Sequence, residues 1–260
     1  MAFTQFSKLA WVNHALSLSA YSPANTSVWY ALFTSDSGLP TGSLSDEATD
    51  AGRVAMPFEA ASSTADRAVL NSTSLSLSPT VGGDVVTHFG ILDAATSGNL
   101  LCFGALDHPF TTSSVASCTI AAKSVGIQVD AGGLVGLSAY FIDSMLDFMF
   151  ASPNVTFSLP TASYLSLHST VSSSGSGEFS GSGYARASVS WGTASIISGD
   201  AKSVTSSAVT ITGVTDTPAA QFSIWDASTG GNLIGFCDSS DVAVPSGGSV
   251  TLSAGASLAV

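Results

Sequence analysis

The sequence predicts a mainly β protein made of two tandem antiparallel β-sandwich domains, jelly-roll or immunoglobulin-like, each preceded by a short α-helix. Three observations predict it. Ser and Thr supply 72 of the 260 residues and Gly another 25, a composition suited to short strands joined by many turns. Hydrophobic residues make up 45% of the chain and charged ones only 9%, so it can bury a core and is not a typical disordered polymer. Third, the chain repeats itself. Residues 88–104 read HFGILDAATSGNLLCFG and residues 221–237 read QFSIWDASTGGNLIGFC, identical at nine of 17 positions at an offset of 133.

The identical positions include Phe89/Phe222, Asp93/Asp226, Gly98/Gly231 and Asn99/Asn232. At the same offset Arg53 falls opposite Arg186. Further out the offset drifts: Leu32–Ser35 aligns with Leu167–Thr170 at 135, and Cys118–Ala122 with Val250–Ala254 at 132. Such drift places small insertions in loops. Two copies of this length make a domain pair and not a solenoid. The boundary is expected at Asp130–Gly133, giving domains 1–130 and 131–260.

Each copy opens with a helical stretch, Phe3–Leu18 and Leu137–Phe150. The first is expected to bury Phe6, Leu9, Ala10, Asn13 and Leu16; the second Leu137, Phe141, Ile142, Met145, Phe148 and Met149. Pro23 and Pro153 follow as stops. Strands come next at Ser27–Thr34 and Ser163–His168, then at Ser203–Thr212. Asp84–Leu92 and Ala219–Trp225 run into the shared motif. There Phe89 and Ile91 alternate with their neighbours as a strand does, and Asp-Ala-x-Thr-x-Gly-Asn supplies turn chemistry. Leu100–Phe103 returns as the next strand. Arg53 and Arg186, two of only three arginines, are expected to anchor a loop in their own copies. Asp93 and Asp226 are the expected bidentate partners, against the alternatives of a solvated arginine or an inter-subunit contact.

The net charge is −12. That disfavours nucleic acid, which is bound by cations that displace counterions from phosphate, and it disfavours anionic lipid. The longest apolar run, Leu134–Phe150, is short and carries Asp143 and Asp147, so no membrane span is expected. Those two aspartates are expected to face solvent or a partner. The N-terminal Leu9–Leu16 segment, interrupted by Asn13 and His14, is a poor export signal. Cys102, Cys118 and Cys237 form neither a disulfide framework nor a zinc pattern. The H-E-x-x-H, G-x-S-x-G and P-loop motifs are all missing from the sequence. His88 and His168 stand opposite Gln221 and Phe33, so neither imidazole is kept. Asp46, Glu47 and Asp50 read as a solvated acidic loop without calcium-loop spacing. No catalytic, cofactor or metal residues are expected.

The repeat unit resembles a family of small tailed-bacteriophage structural proteins. The resemblance rests on four elements. The first is the opening helix with a Tyr-x-Pro segment at Tyr21–Pro23. The second is the strand Tyr30–Asp36, or Tyr164–Ser169 in copy two. The third is Gly181–Arg186, and the fourth is Thr87–Leu100 with its diverged counterpart Ala220–Leu233. Copy one lacks the tyrosine before its arginine, and copy two has Gln221 for the histidine. The family's labels divide between head decoration and tail fibre. The resemblance therefore implies a non-enzymatic particle protein, located in the virion and partnered by other virion proteins.

Low charge and abundant small residues suit packed interfaces. The leading expectation is a homo-oligomeric capsid decoration or cement protein that contacts the major capsid protein. A tail or neck component, fibre-like or adaptor, is the alternative, and a secreted adhesin or carbohydrate-binding module comes third.

Overall fold

The computed structural model describes residues 2–16, 18, 27–61, 67–78, 83–114, 117–129, 135–151, 160–214, 218–242 and 247–259. The prolines at 23 and 153, the Tyr-x-Pro segment and the Asp130–Gly133 junction lie outside them. The fold is mainly β and every strand pairing is antiparallel. The chain forms two compact units. Unit 1 comprises Met1–Lys8, Ser22–Val129 and Ser144–Phe157; unit 2 comprises Leu9–Tyr21, Asp130–Asp143 and Ser158–Val260.

In unit 1 the strands are β1 (Ala2–Phe3), β2 (Trp29–Phe33), β3 (Val54–Ala55), β4 (Ala68–Leu70), β5 (Leu75–Leu77), β6 (Val85–Leu92), β7 (Leu100–Thr111), β8 (Cys118–Ile120) and β9 (Gly126–Gln128). One five-stranded sheet runs in the order β1-β7-β6-β2-β3, and β4-β9 and β5-β8 are separate ribbons. The β2 sequence WYALF has no polar alternation because its last four residues are all buried, as expected of a central strand covered on both faces. Tyr30 stacks on Phe89 of β6 at 5.4 Å between ring centroids. Burial raises the Tyr30 hydroxyl's pKa well above its ordinary value.

Unit 2 holds β10 (Val135–Leu137), β11 (Ser163–His168), β12 (Ala187–Val189), β13 (Ser195–Ile197), β14 (Asp200–Val204), β15 (Val209–Val214), β16 (Ala219–Trp225), β17 (Leu233–Val242), β18 (Gly248–Leu252) and β19 (Ser257–Ala259). Its main sheet, β10-β17-β16-β11-β12, repeats the order of the first. The smaller sheets are β13-β14-β19 and β15-β18. The expected single strand Ser203–Thr212 is two strands, β14 and β15, with a bend at Ser206–Ser207. Thr205 marks the break. Its N–H bonds Ala256 O, and its carbonyl accepts from Gly255 N. Asn71 makes the corresponding contacts in unit 1, to Val125 O and Lys123 N. Gly213 (φ +71°) kinks β15, and a Cβ there would lie 2.2 Å from the Gly183 carbonyl carbon. Only glycine permits that approach.

Helix α1 spans Gln5–Ala15 and α2 Ala139–Leu146, the latter continuing as a π-helical turn over Asp147–Ala151. Both begin later than expected, because Phe3 and Leu137 belong to strands. Each start is a duplicated cap. Thr4 Oγ1 accepts from Ser7 N and donates to Leu100 O at 2.6 Å. Ser138 Oγ accepts from Phe141 N at 3.1 Å and donates to Leu233 O. The backbone N–H groups of Thr4 and Ser138 reach Leu101 O and Ile234 O. One small hydroxyl residue thus satisfies a helix N-terminus and ties it to a strand.

The buried residues of α1 are Ser7, Trp11, Val12 and His14, with Leu16 just beyond it. Phe6, Leu9, Ala10 and Asn13 are only partly covered, so the expected apolar face is displaced. Polar Ser7 and His14 on the buried side hid the pattern. In α2 and its π-helical turn the expected Phe141, Ile142, Met145 and Met149 are buried, while Phe148 is only partly covered. Within unit 2, Trp11 meets Phe141 edge-on. Within unit 1, Phe150 packs against Phe3 and Phe58. Asp147 accepts a hydrogen bond from Ala61 N at 2.5 Å through Oδ1, so this part-buried side chain also serves as an internal acceptor. No described helix is long and apolar enough to cross a membrane.

Thr4→Ala and Ser138→Ala should each lower the unfolding free energy by about 1–2 kcal/mol, since each removes a cap and frees a buried carbonyl. Thr4→Ser should be nearly neutral. Urea denaturation of the full chain measures all three.

Candidate functional site

The same polar constellation forms in each unit where the β6–β7 or β16–β17 connection meets the segment before β3 or β12. Backbone geometry sets the connection. Asp93 N donates to Asn99 O, closing the loop. The Asp93 carboxylate accepts from Asn99 N at 2.7 Å through Oδ1 and from Asn99 Nδ2 at 2.8 Å through Oδ2. Asp226 and Asn232 repeat this at 2.6 and 2.8 Å. Gly98 (φ +77°) and Gly231 (φ +72°) stand where a Cβ would come within 2.5 Å and 2.4 Å of the aspartate Oδ1. The preceding position, Ser97 (φ +54°) or Gly230 (φ +60°), is also left-handed, but open space surrounds Gly230. That is why one copy tolerates serine there.

The arginine locks this turn from outside. Arg53 Nη1 donates to Ala94 O at 2.8 Å and Ser97 O at 2.6 Å. Its Nε and Nη2 make a fork with Glu47 Oε1 and Oε2, both at 2.7 Å. Arg186 holds Ala227 O and Gly230 O at 2.9 and 2.6 Å and grips Glu178 at 2.8 and 2.7 Å. The arginine side chains are only 8% and 7% exposed. The glutamate is placed by a β-bridge, Phe33 with Glu47 and His168 with Glu178.

This corrects two sequence expectations. The bidentate partner is glutamate and not Asp93 or Asp226, because both aspartates spend their oxygens inside the turn. Glu47, read as part of a solvated acidic loop, has a side chain only 10% exposed and carries the ion pair. The structure brings Arg53, Asp93, Gly98 and Asn99 together in unit 1, and Arg186, Asp226, Gly231 and Asn232 in unit 2. Phe89 and Phe222 lie apart on β6 and β16, half-buried. Sequence reasoning missed the glutamates because Glu47 precedes its arginine by six residues and Glu178 by eight, which breaks the constant offset. A search for any acid shortly upstream of both arginines would have found them.

Unit 2 adds groups that unit 1 lacks. Arg186 lies 3.8 Å from the ring centroid of Trp225, where unit 1 has Leu92. Tyr184 donates to Glu178 Oε1 at 3.3 Å and accepts from Leu167 N at 3.1 Å. Burial, foremost, pushes its hydroxyl up to about 12. Outside each clamp the turn tips, residues 96–99 and 228–232, are exposed. The clamp therefore presents a short polar tip on a fixed frame.

The family described as podophage GP4 fiber I protein gp80 matches the chain twice, at residues 2–128 and 136–257. The chain belongs to that family. No curated protein matches it. The two matches coincide with the two copies of the sequence repeat, so the chain is a tandem duplication of one family unit. The family is one of phage fibre proteins, which makes the chain a structural protein of the virion. In gp80-family terms, the clamp and its turn are features that both units carry.

Arg53→Lys or Arg186→Lys should destabilise its own unit by about 3 kcal/mol. Lysine cannot fork to a carboxylate while holding two carbonyls, and the buried glutamate loses its partner. Gly98→Ala and Gly231→Ala should each cost about 2 kcal/mol or more through steric overlap at positive φ. Gly230→Ser should cost under about 0.5 kcal/mol, since Ser97 already occupies that position. Hydrogen exchange resolved by peptide assigns each loss to its unit.

Proposed function

We propose that this chain is a non-enzymatic, fibre-like component of a phage tail. Its two units are rigid platforms that hold short polar turns outward and bind neighbouring virion proteins through their remaining surface. The observation that carries this reading is the double family match, which puts a fibre-family unit over each half of the chain. The clamp geometry supports it. Arg53 and Arg186 each commit four of five N–H donors to glutamate and turn carbonyls, which makes them structural ties. Assembly into a homo-oligomer is part of the proposal, since fibre subunits act in several symmetric copies.

Decoration of the capsid lattice, the leading expectation from sequence, gives way here because the matching family is described by its fibre. Contact with the major capsid protein goes with it, and tail proteins become the proposed partners.

Immunogold labelling of intact virions, together with copy number per particle by quantitative mass spectrometry, tests the reading. Label confined to tail appendages and a copy number of tens or fewer is expected. Label spread over the head, with hundreds of copies in a simple ratio to the capsid protein, would overturn it in favour of decoration.

A further inference from the structure

Unit 2 contains a buried histidine where unit 1 has phenylalanine. His168 ends β11 and is fully buried. Its ring is bonded at both nitrogens, and the partners fix its tautomer. Ser176 O can only accept, so Nδ1, 3.0 Å away, carries the proton. Trp225 Nε1 can only donate, and it donates to Ser166 Oγ at 2.7 Å. The Ser166 hydroxyl is then free to donate to His168 Nε2 at 2.8 Å. The result is a one-way chain, Trp225 to Ser166 to His168 to the Ser176 carbonyl, in which a neutral imidazole gives every donor an acceptor. The ring also stacks on Trp225, 6° from parallel at 6.3 Å, and Trp225 is the indole beside Arg186.

The corresponding unit 1 residues are Ala31, Phe33 and Leu92, all apolar and all in one buried cluster. Neighbouring backbone positions match the change. A Cβ on Gly90 would sit 2.7 Å from the Phe33 ring. Unit 2 has the smaller imidazole of His168 in place of that ring and Ser223 in place of Gly90, and Ser223 is buried and accepts from Gln221 Nε2 at 2.6 Å.

We infer that unit 2 carries an acid-sensitive latch: protonating His168 breaks the Trp225–Ser166–His168 chain and loosens the Arg186-held turn, while unit 1 does not respond. Protonation at Nε2 removes the acceptor of the Ser166 hydroxyl and places a second cation against the indole that Arg186 already touches. The charged and titratable groups around the ring are Glu178, bridged to His168, then Arg186 and Tyr184. The packed strands β12, β15 and β16 carry no ionisable side chain. Burial, the largest influence, holds the His168 pKa below its ordinary value. The Ser176 bond and Glu178 oppose this, and Arg186 reinforces it.

The sign follows from linkage. An opened unit 2 exposes an imidazole of ordinary pKa, about 6.5, which binds a proton that the closed form resists. The closed state is therefore fully favoured above that pH and loses ground as pH falls below it. At pH 5.0 the open population should rise by up to about thirty-fold relative to pH 7.5.

The test is hydrogen exchange by mass spectrometry on the full chain at pH 7.5 and 5.0, corrected for intrinsic rates. Segments 163–178 and 219–233 are compared with 29–35 and 86–100. The expected result is a ten- to thirty-fold loss of protection in the unit 2 segments alone, abolished in His168→Gln and in the paired variant His168→Phe with Ser223→Gly. An equal loss in both units overturns the inference. So does no loss in wild type, or the same loss in a folded variant lacking the imidazole. These outcomes concern stability within one chain and are independent of where the protein sits in the virion.

Discussion

One guanidinium group ties the 47–53 segment to the 93–99 turn. Arg53 uses four of its five N–H donors, two on the Glu47 carboxylate and two on carbonyls of the 93–99 turn. Removing it would strand a buried carboxylate and two carbonyls at once, so the cost is cooperative and not the sum of four weak bonds. The ion pair is nearly dry and is held in a fork, which separates it from the exposed pair Lys123–Glu59 at 3.3 Å. A surface pair of that kind contributes little. In a chain with six basic residues, two are committed to this one purpose.

The duplication separates the frame from its filling. Both units keep the capping hydroxyl, the glutamate–arginine fork, the Asp–Asn closure and the glycine. What surrounds the fork has diverged in a correlated way. Unit 1 packs Phe33 against Gly90 beside Ala31 and Leu92. Unit 2 replaces all four with His168, Ser223, Ser166 and Trp225, exchanging an apolar cluster for a hydrogen-bonded chain. Two members of that set could not change alone. A serine at Gly90 would collide with the Phe33 ring, and an imidazole in the unit 1 cluster would be buried without partners.

What the sequence made legible follows the range of the interactions. The strands Ser163–His168 and Ala219–Trp225 match the structure residue for residue, because alternation and turn residues are local signals. The Asp-to-Asn turn was legible for the same reason. The glutamate partners were not, since their spacing to arginine differs between copies and an acidic run ordinarily signals a solvated loop. The buried side of α1 was hidden by Ser7 and His14, which hydropathy counts as surface. The break between β14 and β15 was hidden by serines, which fit a strand or a bend equally well. In each failure a tertiary contact overrode a local preference.

The turn itself shows which positions the frame constrains. Across DAATSGN and DASTGGN only the third and fifth residues differ. Asp and Asn are fixed because each satisfies the other, and the sixth residue is fixed because a Cβ would strike the aspartate. The third and fifth side chains take no part in the Asp–Asn closure, and the clamp reaches the fifth only through its carbonyl. A loop of this design can change its exposed chemistry without losing its shape, because the arginine reads backbone oxygens and not side chains. That division places the rigidity in Arg53 and Arg186 and leaves the variation between the two copies to the tip.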